Sequence, residues 1–322
     1  MPLQITITGA SGFVGQALIA KLTKHEVTAI VRNHAPNLNV KKCFRTEISE
    51  FSDHSEALSN CDVVIHCAAR VHVMNEQSTD ALEVYRQINT NAVLSIARQA
   101  AAQGVKRFIF ISSIKVNGEY TSASKPFTAF DTPAPADPYA QSKAEAEAGL
   151  KQIALSTGME LVIIRPPLVY GPGVKANFSR MMALVGKGLP LPFGNIQNKR
   201  SMVALDNLVD LISLCVEHPK AANQIFLVSD DQDLSTPELM RLMAAAMGVK
   251  LWLINLPSFL LKLMKTSTKG ALIYQRVCGS LQVDITHTKE TLDWHPKVTV
   301  EQQIRKIAEQ HHEVKAIEKG LS

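Results

Sequence analysis

The eleven residues Ile5-Thr-Ile-Thr-Gly-Ala-Ser-Gly-Phe-Val-Gly15 limit the folds open to this chain more than any other stretch. Leu3 to Ile7 alternates as a short buried strand does, and Gln16 to Lys24 carries apolar residues at helical spacing, so the glycines fall at a strand-to-helix turn. Gly9 permits the tight turn, Gly12 keeps a Cβ out of the path of a pyrophosphate, and Gly15 lets the helix lie close to the strand. The positive end of the helix then faces the anion, with the backbone of Ser11, Phe13 and Val14 beside it. The competing reading is an ordinary glycine-rich turn, and the strand before and helix after argue against it.

From there strand and helix alternate. Val27–Val31 reads as a second strand, Lys42–Arg45 as a weaker third, Ser55–Ser59 as a short helix and Asp62–His66 as a further strand. Asp80 to Gln103 has a long helical period closed by Gly104, and Arg107–Ile111 is an apolar strand ending in Ser112-Ser113. Asp137-Pro138 suits the cap and first turn of a helix, and Leu161–Arg165 a buried strand. Leu205–Val216, Ile225–Val228 and Thr236–Met247 read as helix, strand and helix. This order specifies an α/β fold: a doubly wound parallel sheet of Rossmann type with a smaller C-terminal α/β substrate lobe. The expected division is 1–170 for a dinucleotide-binding domain and 171–322 for a mainly substrate-binding lobe, with 201–230 returning to the first domain.

The end of the second strand bears on the cofactor. An NAD-selective fold places Asp or Glu there to hold the adenosine ribose, whereas this strand runs into Arg32. A guanidinium pairs with a 2′-phosphate that an acid would repel, so NADP is expected, with NAD the alternative. Net charge is +5 and scattered, which argues against a nucleic-acid partner and leaves an anionic small substrate open. The five cysteines form no C-x-x-C pair, so neither a disulfide framework nor a metal site is expected, and the default compartment is the cytoplasm. A core strand starting within three residues of Met1 leaves no room for a signal peptide. Leu251–Met264 is too short to span a bilayer and is interrupted by Pro257; it reads as a core or dimer-facing helix, without stable membrane insertion.

Tyr139 and Lys143 stand four apart at the start of a helix and share a face. An ammonium beside a phenol favours the phenolate, lowering the tyrosine pKa and fitting it to exchange a proton near neutral pH. Such a short motif gains meaning from its place, after a phosphate-binding turn and a serine-ended strand.

Together these segments resemble the extended short-chain dehydrogenase/reductase family, the nucleotide-sugar epimerase, dehydratase and reductase group. The resemblance covers nearly the whole chain: T-G-x-x-G-F-x-G at Thr8–Gly15, H-x-A-A at His66–Ala69, S-S-x-x-V-x-G at Ser112–Gly118, Y-x-x-x-K at Tyr139–Lys143 and R-P-x-x-V-Y-G-P at Arg165–Pro172. It implies that Tyr139 exchanges the substrate proton, Ser113 hydrogen-bonds the reacting oxygen, and Lys143 holds the nicotinamide ribose and tunes Tyr139. It also implies cofactor contacts from Glu47, Ile48, Ala68, Ala69 and Pro166, and a substrate diphosphate site from Asn177 and Arg200, with Arg276 a looser match. Asn117 replaces a common tyrosine, and Lys115 stands where many relatives carry a small or hydroxyl residue; both departures bear on sugar specificity.

Within the family, residues 111–118 and 165–178 look most like bacterial enzymes of surface-polysaccharide synthesis. Those enzymes use NADPH to reduce the C4 ketone of a UDP-linked 4-keto-6-deoxy-N-acetylhexosamine. The alternative is a UDP-hexose 4-epimerase that keeps NAD bound. A dehydratase would carry an acidic pair where Ile114-Lys115 stands. A non-catalytic cofactor-sensing protein is the reading of another class, and the intact Ser113, Tyr139 and Lys143 argue against it. The expected partners are a UDP-sugar and a second copy of the chain, as a homodimer.

Overall fold

Gln4–Thr8 forms β1, and its last four residues are buried, as in a strand covered on both faces. The computed structural model describes residues 1–322 apart from 34, 36–37, 72–79, 123–124, 175–176, 258–269, 271–273, 276 and 321–322, and gives backbone alone at 177 and 311–320. After β1 come α1 (Phe13–Lys21), β2 (Glu26–Val31), β3 (Lys42–Arg45), α2 (Ser55–Leu58), β4 (Val63–His66), α3 (Ala81–Arg86), α4 (Ala92–Ala102), β5 (Arg107–Ile111), α5 (Pro138–Thr157) and β6 (Glu160–Arg165). The second half adds β7 (Leu168–Tyr170), α6 (Asn177–Val185), β8 (Pro190–Leu191), β9 (Met202–Ala204), α7 (Leu205–Glu217), β10 (Gln224–Leu227), α8 (Thr236–Met247), β11 (Trp252–Leu253), α9 (Thr286–Leu292) and α10 (Val300–Gly320).

Seven strands form one parallel sheet in the order β10-β6-β5-β4-β1-β2-β3. The chain winds outward from β1 to β3, then returns to β4 on the other side of β1. That reversal leaves a crevice at the carboxyl ends of β1 and β4, where Thr8 pairs with His66. One face of the sheet packs on α1 and α7 through Ile5, Ile7, Leu18, Leu208 and Ile212. The other packs on α2, α4 and α5 through Val64, Phe108, Phe110, Ile96 and Leu150. A separate cluster of Tyr170, Phe178, Met243 and Ile304 joins α6, α8 and α10. Each such fully buried side chain contributes about 1.5–3 kcal/mol.

Helix boundaries follow local chemistry. Asp137 caps α5, accepting from Ala140 N at 2.7 Å, and Gly158 ends it at φ 76°. Ser235 and Glu238 form a reciprocal capping box at the start of α8. Two segments differ from the sequence expectation. The long helix expected over 80–103 contains a π turn, Gln87–Asn91, whose extra residue carries Asn89 into the interior. The apolar run from Leu251 opens as strand β11, because Trp252 and Leu253 pair with Pro190 and Leu191; its continuation past Pro257 lies outside the described residues. Among the described residues no helix is long and apolar enough to cross a membrane.

Where β5, β6 and α5 meet, Arg165 and Glu147 form an ion pair with side-chain exposures of 1% and 2%. Arg165 Nε donates to Glu147 Oε1 at 2.9 Å and Nη2 donates to the second oxygen, a planar two-pronged arrangement. Ser112 Oγ donates to the same carboxylate at 2.6 Å, and Arg165 Nη1 donates to Asn117 Oδ1 at 2.9 Å. Replacing Arg165 by Met strands the carboxylate in the core, so Arg165→Met should lose about 3–5 kcal/mol of stability in urea unfolding. A change below about 1 kcal/mol would mean that this pair does not hold the three elements together.

Candidate functional site

Gly9 has φ +66°, and a Cβ there would meet Ala68 N at 2.7 Å. Both the left-handed backbone and the close approach to the chain leaving β4 therefore require glycine. Gly12 N donates to Gly9 O at 2.9 Å, and a Cβ on Gly15 would lie 2.4 Å from that same carbonyl. The first turn of α1 is thus folded tightly onto the loop. No side chain caps α1, so its leading N–H groups around Phe13 and Val14 remain available to an anion, with Ser11 and Gly12 exposed at the rim. The cradle fits the phosphates of a dinucleotide. Arg32 is exposed just past β2, and Asn33 rather than an acid follows it. Glu47 is exposed, while Ile48 packs against the α2/α4/α5 core.

The exit of β4 forms the opposite wall. His66 is fully buried, with Nδ1 3.0 Å from Thr8 Oγ1; burial depresses its pKa to about 3 and keeps it neutral. Ala68 N reaches Thr8 Oγ1 at 3.4 Å, and Ala68 and Ala69 are half-buried. Asn89 holds the next residue from both sides, accepting from Arg70 N at 2.8 Å and donating to Arg70 O at 3.0 Å. It also donates to Ser142 Oγ at 3.1 Å, joining this wall to α5. Motif reading passed over Asn89; the available signal was an amide within an otherwise apolar helical period.

The two serines after β5 diverge. Ser112 is anchored to Glu147, whereas Ser113 is half-buried, accepts from Lys115 N at 3.2 Å and faces the Tyr139 phenol. Ile114 N donates to the buried Pro166 carbonyl at 3.0 Å, fixing this loop to the end of β6. Tyr139 lies edge-on to Tyr85 at 6.1 Å between centroids. Burial pushes its pKa up to about 12, the Ser113 hydroxyl opposing and the Asp137 charge adding.

Lys143, expected to tune that pKa, has its described contacts on the side of β5. It is fully buried, donates to Ile111 O at 3.0 Å and sits 4.5 Å over the Phe110 ring. Desolvation lowers its own pKa to about 8.

The departures at 115 and 117 also find partners within the protein. Asn117 is buried and, besides accepting from Arg165, donates to Thr128 O at 2.9 Å, so it braces the loop instead of facing a sugar. Lys115 pairs with Glu119 and Asp137. Two residues before β9, Arg200 is half-buried and Nη1 donates to Gly279 O at 3.2 Å. Burial lowers its pKa, and the charge of Glu119 acts against that shift. Arg276 and the Asn177 side chain lie outside the described residues.

Residues 5–229 match the NAD dependent epimerase/dehydratase family. The chain belongs to that family. It is 49% identical over 314 residues to a Vibrio cholerae protein described as UDP-glucose 4-epimerase, covering 96% of this chain and 95% of the relative. It is 25% identical over 319 residues to a Pseudomonas aeruginosa GDP-6-deoxy-D-mannose reductase, covering 95% and 96%. Its fold matches that of the Thermotoga maritima UDP-glucose 4-epimerase solved with UDP-glucose, with TM-score 0.79, 22% identity and coverage of 97% and 100%. The Bacillus cereus UDP-glucuronic acid 4-epimerase solved with NAD gives TM-score 0.77 at 19% identity, covering 97% and 99%. Membership of the epimerase/dehydratase family agrees with the glycine turn and sheet order.

The buried Lys143 should make the protein's stability depend on pH. Its folded pKa of about 8 lies below the ordinary 10.5, so between those values the unfolded chain binds a proton that the folded chain does not. Stability should therefore rise with pH across that window, by up to about 3 kcal/mol from this group. In Lys143→Met that part of the rise disappears, which urea unfolding at pH 8 and pH 10 reads directly. Equal increments in both proteins would show that Lys143 does not titrate there.

Proposed function

We propose that the chain is a nucleotide-sugar enzyme acting at C4, and that the reading best supported is a UDP-hexose 4-epimerase with retained NAD. The 49% identity over 96% of the chain to a protein described as UDP-glucose 4-epimerase carries this choice. The site supports the chemistry. A bound nicotinamide dinucleotide supplies a hydride acceptor and donor, and the uncapped turn at Gly9–Gly15 is assigned its phosphates. Tyr139 is assigned to exchange the proton of the C4 oxygen, with Ser113 holding that oxygen; to take the proton it must be a phenolate, so the positive charge of a bound oxidised nicotinamide would have to draw down the pKa that burial raises. Lys143 is assigned to the nicotinamide ribose, where its desolvated ammonium has few competing partners in water. Arg200 is assigned to the substrate diphosphate, with Asn177 and Arg276 as further candidates.

A second reading has its own support. Arg32 in place of an acid after β2 favours a 2′-phosphate, and so an NADPH-dependent reductase of a UDP-linked 4-keto-6-deoxy-N-acetylhexosamine. The two readings differ in what the purified protein carries. An epimerase should release NAD on denaturation and convert UDP-glucose to UDP-galactose without added cofactor. A reductase should need added NADPH and a 4-keto sugar nucleotide. In that case Arg32→Asp should weaken NADPH much more than NADH, by about 2–3 kcal/mol, in a titration calorimeter.

Under either reading Tyr139→Phe should retain the fold and the dinucleotide dissociation constant while kcat falls on the order of a hundredfold, since only the proton carrier is removed. Wild-type turnover in that variant would refute the assignment of Tyr139.

A further inference from the structure

Ser113 lies two residues past β5 and Tyr139 in the first turn of α5, and the loop between them, 117–137, is too long to fix their separation by itself. Lys115 acts on both. Its backbone N–H donates to Ser113 Oγ at 3.2 Å. Its ammonium donates to Glu119 Oε1 at 2.7 Å and to Asp137 Oδ2. Asp137 is the N-cap of α5, its other oxygen accepting from Ala140 N at 2.7 Å, and Tyr139 lies within that capped turn. The side chains of Lys115, Glu119 and Asp137 are 33%, 26% and 20% exposed, so water screens these pairs less than it screens a surface pair.

We propose that Lys115 is a positioning residue, tying the first turn of α5 to the serine loop and thereby setting the Tyr139 phenol against the Ser113 hydroxyl. The claim rests on the reading of Tyr139 as the proton carrier and assigns the residue at 115 to alignment of that carrier instead of to recognition of the sugar. Burial works against the charge of Lys115, and its bonds to Asp137 and Glu119 outweigh burial, raising its pKa, so the tie stays ionised across the neutral range. A displacement of about 1 Å at a reacting group can cost on the order of a hundredfold in rate, which makes such a tie consequential.

The test uses the full chain labelled with [¹³Cζ]tyrosine. Five tyrosines are present, and Tyr139→Phe assigns the resonance of interest. In Lys115→Met the Tyr139 resonance should move in the direction that Ser113→Ala moves it, while that of Tyr170, bonded to Asp230 and packed in the separate cluster with Phe178 and Met243, stays in place. Lys115→Arg should restore the resonance. In turnover, Lys115→Met should lose at least about tenfold in kcat, with the KM for the nucleotide sugar and the dinucleotide dissociation constant within about twofold of wild type. A merely stabilising ion pair would lower the unfolding midpoint without that split.

An unmoved Tyr139 resonance overturns the proposal whatever the turnover, and so does a full kcat alongside a shifted resonance. Should Lys115→Met fail to fold, Lys115→Gln is read in the same two ways. If the wild-type protein turns over no nucleotide sugar and the resonances still respond as stated, the positioning stands and the proposed activity falls.

Discussion

The buried fork between Arg165 and Glu147 is the interaction on which the rest of this site depends. Two opposite charges in the interior gain little net stability over a well-packed apolar pair, because removing each from water costs several kcal/mol. What the fork supplies is uniqueness of arrangement. Glu147 lies one turn beyond Lys143 on α5, Arg165 ends β6, and their remaining hydrogen-bonding capacity is met by Ser112 at the end of β5 and by Asn117 in the following loop. A slip of any of these elements would leave a charge without its partner. Ser113 and Tyr139 are therefore presented by elements whose register is fixed from beneath.

Above that anchor, the cleft favours neutral forms. Desolvation draws Lys143 down, pushes Tyr139 up and holds His66 uncharged. The pattern fits a cleft whose ligands carry phosphates of their own and find oriented backbone N–H groups and a few cations there. Residues four apart share a face, but the Lys143 stem reaches the Ile111 carbonyl and the Phe110 ring, a direction set by the neighbouring strand.

What could be read from the sequence was local. The Asp137-Pro138 start satisfies its backbone within a few residues, and the glycine turn closes Gly12 N onto Gly9 O, so the chemistry of each is written contiguously. The doubly wound parallel class followed from the alternation of strand and helix, whereas the strand order is seen only in the folded sheet. The roles of Asn89, Asn117 and Lys115 were not legible, since each depends on a partner brought near by folding: Arg70 and Ser142, Arg165 and Thr128, Asp137. β11 escaped notice for the same reason, because two residues become a strand only when Pro190 and Leu191 lie beside them.

The π turn at Gln87–Asn91 has a consequence for how this wall tolerates change in length. A helix that already accommodates one surplus residue can shed it and become regular. Doing so would rotate α4 by about 100° relative to α3, since each residue of an α-helix accounts for that much turn. The apolar stripe of Val93, Ile96, Ala97 and Ala100 would then face away from the sheet, or Asn89 would lose Arg70. The bulge therefore works as a phase-matching device, reconciling a helix that must bury one stripe with an amide that must point somewhere else.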